Sequence, residues 1–138
     1  MAEKSILKEY LAKHGGSVPE GSQLPEAPVV DDIGSFGWLR GIRDRALMLE
    51  IRLKDGSIEA FPYSWLERAR FDPTEGVTLT FGGCQVHIHG RNLNAEVRPS
   101  LRLFEGITRH RVPWLRVADQ AESMEMDEKR TVIDGVEW

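Results

Sequence analysis

The chain has 138 residues, 41% of them hydrophobic, and a formal net charge of −4; this suits one domain with a modest core and short tails. No apolar run approaches the ~18 residues of a membrane span, and the start of the chain lacks the charged-then-apolar layout of a secretory signal, so a cytoplasmic protein is expected with no membrane contact. A single cysteine excludes an intramolecular disulfide framework.

The net charge conceals a split. Residues 36–117 carry 12 Arg and 1 Lys against 9 acids, a net +4, while 1–35 carry −3 and 118–138 carry −5. An arginine-dominated core lies between two acidic flanks, and arginine is the residue suited to planar, bidentate recognition of carboxylate and phosphate.

In chain order, residues 1–14 read as an N-terminal helix, with Ile6, Leu7, Tyr10 and Leu11 on one side and Gly15-Gly16 to end it. Residues 15–35, with Pro19, Pro25 and Pro28, read as a linker. A β-rich core domain is expected over 36–117. Phe36, Trp38 and Leu39 are bulky enough to be buried, although Gly34, Gly37 and Gly41 argue against a helix around them.

Two hairpin signals follow. Asp55-Gly56 as a two-residue turn sets Leu53 opposite Ile58, Arg52 opposite Glu59 and Ile51 opposite Ala60. Gly82-Gly83 sets Phe81 opposite Cys84, Leu79 opposite Val86 and Val77 opposite Ile88, with Thr80 facing Gln85 and Thr78 facing His87 on the other side. Pro62 marks the return strand of the first hairpin as an edge or as ending in a bulge, a short strand follows over 67–71, and 72–76 is a turn by composition. Asn92 is placed to N-cap a helix running toward Phe104, with Leu93, Val97, Leu101 and Phe104 on one face and Gly106 at its end; Pro99 requires a break in it. Residues 107–117 read as extended. Residues 118–138 read as an acidic, disordered tail, although 131–138 is an apolar-acidic segment that could add as a strand to an exposed edge of its own domain or a partner's. The fold expected is α+β: one curved antiparallel sheet of five or six strands, comparable with SH3- or Sm-like barrels, with the N-terminal helix and a helix after the second hairpin.

Cys84, His87, His89 and His110 invite a metal reading, but strand alternation sends Cys84 inward with Val86 and Ile88, leaving only His87 and His89 on one face as weak ligand candidates. No nucleophile elbow, phosphate loop or dinucleotide fingerprint occurs, and no cofactor is expected. The richer cluster is cationic: Arg40, Arg43 and Arg45 before the first hairpin, Arg91 and Asn92 after the second, and Arg109, His110, Arg111 and Arg116 near Trp114. Arginines interleaved with an aromatic suit an anion or a nucleic-acid backbone.

Gly37-Trp38-Leu39-Arg40-Gly41-Ile42-Arg43-Asp44-Arg45-Ala46, Phe61-Pro62-Tyr63-Ser64-Trp65-Leu66, Gly90-Arg91-Asn92-Leu93 and Ile107-Thr108-Arg109-His110-Arg111-Val112 together resemble segments of a small uncharacterised bacterial protein family. The resemblance covers about 36–117 and implies no activity, cofactor or site. The function expected is a non-catalytic binding or assembly module acting on a protein partner or on itself. A polyanion or nucleic-acid binder is the alternative, and a metal-dependent enzyme ranks third.

Overall fold

The computed structural model describes residues 28–124 and 129–138. The helix expected over 1–14 and most of the 15–35 linker lie outside them. The described chain is mostly sheet, with nine strands: β1 (Val30–Asp32), β2 (Gly37–Leu39), β3 (Met48–Arg52), β4 (Ile58–Pro62), β5 (Leu66–Asp72), β6 (Gly76–Phe81), β7 (Cys84–Arg91), β8 (Trp114–Arg116) and β9 (Val132–Glu137). Two short helices, α1 (Leu103–Thr108) and α2 (Gln120–Ser123), and a 3-10 turn at Tyr63–Trp65 complete it. No helix among the described residues is long and apolar enough to cross a membrane.

The second hairpin forms in the register its sequence dictates. Val77 pairs Ile88, Thr78 pairs His87, Leu79 pairs Val86 and Phe81 pairs Cys84, because Gly82 and Gly83 both take positive φ, +53° and +92°. That is the conformation a two-residue turn needs to match the strand twist. The inward row Val77, Leu79, Phe81, Val86 and Ile88 is buried. Cys84 departs from the expectation: it lies on the inward side of the ladder yet is exposed, because it sits at the turn, where β7 has only begun to enter the core.

The first hairpin slips by one residue. Ile51 pairs Glu59, Leu49 pairs Phe61 and Arg52 pairs Ile58. The loop takes three residues rather than two. Gly56 N donates to Leu53 O and Leu53 N to Ser57 O, at 3.1 and 2.9 Å, and Gly56 lies at φ +88°, the left-handed residue that closes such a loop. The Asp55 carboxylate accepts from the Ser57 amide and hydroxyl, and these bonds hold it below the usual carboxylate range. The expected Arg52–Glu59 pair is therefore absent, and Ile58 turns outward with Arg52.

Three open ladders replace the single curved sheet: β1-β2, β4-β3-β8 and β5-β6-β7-β9, with no closed barrel among the described strands. β3 and β8 run parallel, Ile51 opposite Leu115; β4, bearing Pro62, is an edge as expected. Leu49 and Ile51 of the middle ladder, Leu79, Val86 and Ile88 of the largest, and Leu103 and Ile107 of α1 share one core. Phe61 stacks on Phe81 across two ladders, at 5.2 Å between centroids.

The helix expected from Asn92 does not form. Asn92 takes φ +57°, and its amide and carbonyl serve the start of β9: Nδ2 donates to Arg130 O and the carbonyl accepts from the Thr131 hydroxyl, both at 2.8 Å. Pro99 and Ser100 (φ +62°) make a tight turn closed by Leu101 N to Arg98 O. The i, i+4 spacing there reflects loop side chains that reach one core from a turn, and the helix begins only at Leu103. Nor is 118–138 disordered where it is described. Asp119 caps α2 by accepting from Glu122 N at 2.7 Å, and β9 pairs β7 with a register shift at His89/Gly90, burying Val132 and Ile133.

Candidate functional site: the arginine seam and its exposed loop

The two cationic segments converge. Residues 39–46 lie along 110–111: Leu39 N donates to Arg111 O at 2.9 Å and Ala46 N to His110 O at 2.7 Å. The Arg111 guanidinium then reaches the Gly41 and Ile42 carbonyls at 3.0 and 3.1 Å, Arg40 O at 3.4 Å, and Leu39 O. One planar fork thus satisfies carbonyls of four successive residues, and it lies over the Trp38 ring at 5.1 Å. Trp38 is held from the other direction by α1, where Gly106 admits it: a Cβ at Gly106 would stand 2.4 Å from Trp38 Cζ3.

His110 closes the seam. Its backbone takes φ +56°, and its ring stacks on Tyr63 at 4.5 Å with 23° between planes. The Tyr63 hydroxyl donates to Val112 O at 2.7 Å, and burial pushes its pKa far up, so it stays a protonated donor. Burial, with the Arg45 charge beside it, holds His110 below the usual imidazole value.

The remaining candidates separate by what they touch. Arg40 pairs with Asp31, Arg109 pairs with Glu105 one helical turn earlier at 2.7 Å, and Arg116 donates to Gly34 O at 2.6 Å while gripping both Glu122 oxygens at 2.9 and 2.7 Å. Arg91 lies in β7 opposite Val132, and Asn92 serves the chain itself as described. Arg43 and Arg45 are exposed; Arg45 braces the loop by donating to the Ile42 and Asp44 carbonyls at 2.9 and 2.8 Å. Both indoles beside the seam are occupied, Trp38 by Arg111 and Trp114 by Arg52, whose guanidinium carbon lies 4.5 Å from the ring centroid.

The histidine pair lies elsewhere, on the outer face of the largest ladder. His87 and His89 stack at 4.4 Å. His87 Nε2 donates to the Glu75 carbonyl at 2.9 Å, which leaves Nδ1 to accept from the Thr78 hydroxyl at 3.3 Å. His89 Nε2 donates to Glu137 at 2.7 Å. Among the described residues no group of three or more His, Cys, Asp or Glu is placed to hold a metal ion.

Ile42 and Leu47 were not among the residues singled out from the sequence. They are 84% and 89% exposed, the most solvent-bared large apolar side chains among the described residues. The signal was present: Ile42 stands among Arg40, Gly41, Arg43 and Asp44 with no alternation to carry it inward. The chain matches no protein-family model, and searches of curated proteins and of solved structures return no match.

Proposed function

We propose that the protein is a non-catalytic binding module that recognises another protein through the loop 40–47. One observation carries the reading: the backbone of this loop is pinned by the Arg111 fork, the Arg45 guanidinium and the His110 carbonyl, while two large aliphatic side chains project from it into water. Apolar groups within a polar, arginine-bearing rim match the anatomy of a protein interface. A prefixed loop loses little conformational entropy on docking.

The alternative, a polyanion or nucleic-acid binder on the arginine segments, has less in its favour. Arg40, Arg109 and Arg116 each face a carboxylate. The two indoles flanking the arginine segments, Trp38 and Trp114, are covered by the chain's own guanidinium groups, while the exposed Trp65 lies apart from those arginines in the chain. The resemblance to a small bacterial family remains part of the proposal and adds no role to any residue.

The test is a differential capture. The immobilised chain and its I42S/L47S variant are exposed to the same lysate, with self-association of each followed by light scattering. Proteins held by the first and released by the second, or a dimer lost in the second, support the reading; identical behaviour of the two sinks it.

A further inference from the structure

We infer that the partner of the loop 40–47 is an acidic peptide segment carrying aliphatic or aromatic anchors. This rests on the binding-module reading and adds the chemistry of the occupant. Between Arg40 and Leu47 the loop has three arginines and one acid, Asp44, and Asp44 is folded back against Gly41, where a Cβ would meet its carboxylate at 2.2 Å. Arg40 is engaged by Asp31. Beside Ile42 and Leu47, Arg43 is exposed, and the exposed Arg45 keeps its charge while its guanidinium donates to the Ile42 and Asp44 carbonyls at 2.9 and 2.8 Å.

An occupant must therefore offer carboxylates to two guanidinium groups and apolar surface to two aliphatic side chains. A peptide in which Asp or Glu flank Leu, Ile, Phe or Trp does both. A nucleic-acid strand offers the charge without matching the aliphatic pair, and the two indoles flanking the seam, Trp38 and Trp114, already carry guanidinium groups. A basic or neutral peptide desolvates Arg43 and Arg45 without bringing them a counter-charge.

The experiment is selection of a random peptide library on the full chain, with the R43E and I42S/L47S variants in parallel. Selected peptides are then synthesised and titrated calorimetrically, with an oligo-dT strand as competitor. The result expected is enrichment of acidic-apolar peptides whose affinity falls about tenfold or more in I42S/L47S, the size of a hot-spot loss. On R43E the selection shifts away from acidic sequences, a change that a merely structural Arg43 would not produce. Peptides that need Ile42 and Leu47 but carry no excess of acids overturn the partner chemistry and leave the binding loop standing. Enrichment indifferent to both variants, or no enrichment, overturns both. Tight oligo-dT binding that displaces the peptides and is lost in R43E assigns the loop to nucleic acid instead.

Discussion

Two outward-facing regions of this molecule manage solvent in opposite ways. On the outer face of the β5-β6-β7-β9 ladder the polar side chains satisfy one another. His87 is held at both ring nitrogens, His89 meets Glu137, and Arg70 reaches Asp72 at 3.5 Å. Along the loop 40–47 it is the backbone that is satisfied, by Arg111, Arg45 and His110, while the side chains of Ile42 and Leu47 stay largely exposed. The first region is a finished surface. The second keeps a fixed backbone beneath two bare aliphatic side chains, and so an arginine-rich sequence can have most of its cations directed at its own carbonyls and carboxylates.

Breaking the seam should have the largest effect. Arg111→Ala should cost about 3 kcal/mol, combining charged hydrogen bonds of ~1.5–3 kcal/mol with a cation–π contact, read as a lower urea midpoint at unchanged slope. Amide exchange of 39–46 should accelerate in the same variant, and Arg111→Lys should recover less than half the loss, since an ammonium cannot fork. A near-neutral Arg111→Ala would mean that the loop holds itself, and the contrast between the two regions would fall.

Gly106→Ala should follow at about 1–3 kcal/mol. The added methyl meets Trp38 at 2.4 Å and Val112 at 2.9 Å, so tryptophan fluorescence should report the displacement directly.

Acidification sharpens the comparison from the side of the internal ion pairs. Glu122 lies between Arg116 and Arg130 at 2.7 and 3.2 Å, and the Arg116 hydrogen bonds hold its carboxyl below the ordinary glutamate value. A carboxylate with a depressed folded pKa contributes stability that is complete above the unfolded value and is lost as pH falls through the folded one. Glu122→Gln should therefore be less stable than the parent at pH 7, with the gap closing below about pH 4.5 in acid-unfolding curves.

The smallest effects belong to exposed groups. Glu137→Gln should change stability by ~0–1 kcal/mol, and I42S/L47S by no more than about 0.5 kcal/mol, both in thermal melts. A large loss in the double variant would show that these side chains pack on the chain's own surface, removing the reason to give them a partner.

The readable parts of this fold were those governed by a few neighbouring residues. Gly82-Gly83 permits a two-residue turn and little else, so the second hairpin was read pair for pair. Asp55-Gly56 serves a two-residue or a three-residue loop equally well; charge pairing favoured the first, and the structure adopts the second. The spacing of Leu93, Val97, Leu101 and Phe104 satisfied a helical template, but Asn92, Pro99 and Ser100 bend the chain through turns instead. β9 was legible only as an alternative: Asp134 and Glu137 interrupt its apolar pattern and favour a disordered tail, yet 131–138 also reads as a strand for an exposed edge. It adds to its own domain along β7, with its main burial at Val132 and Ile133. For the candidate site, the sequence identified the arginines but not their targets, since nothing in residues 109–116 announces the carbonyls of 39–42. The exposure of Ile42 and Leu47 is set by the path of the loop more than by their neighbours in sequence.

The parallel pairing of β3 with β8 has a consequence for how the chain reaches this state. Ile51 and Leu115 are remote in sequence, whereas β6 and β7 close on themselves through a two-residue turn. Loop closure must precede the reward for remote contacts, so the Gly82-Gly83 hairpin should form early and the β8 register late. Substitutions in β8 should then act mainly by speeding unfolding, and those at the hairpin turn by slowing folding. On that ordering the loop 40–47, pinned by the segment that leads into β8, acquires its shape only at the end, and a chain caught short of that point would present Ile42 and Leu47 without the geometry that gives them meaning.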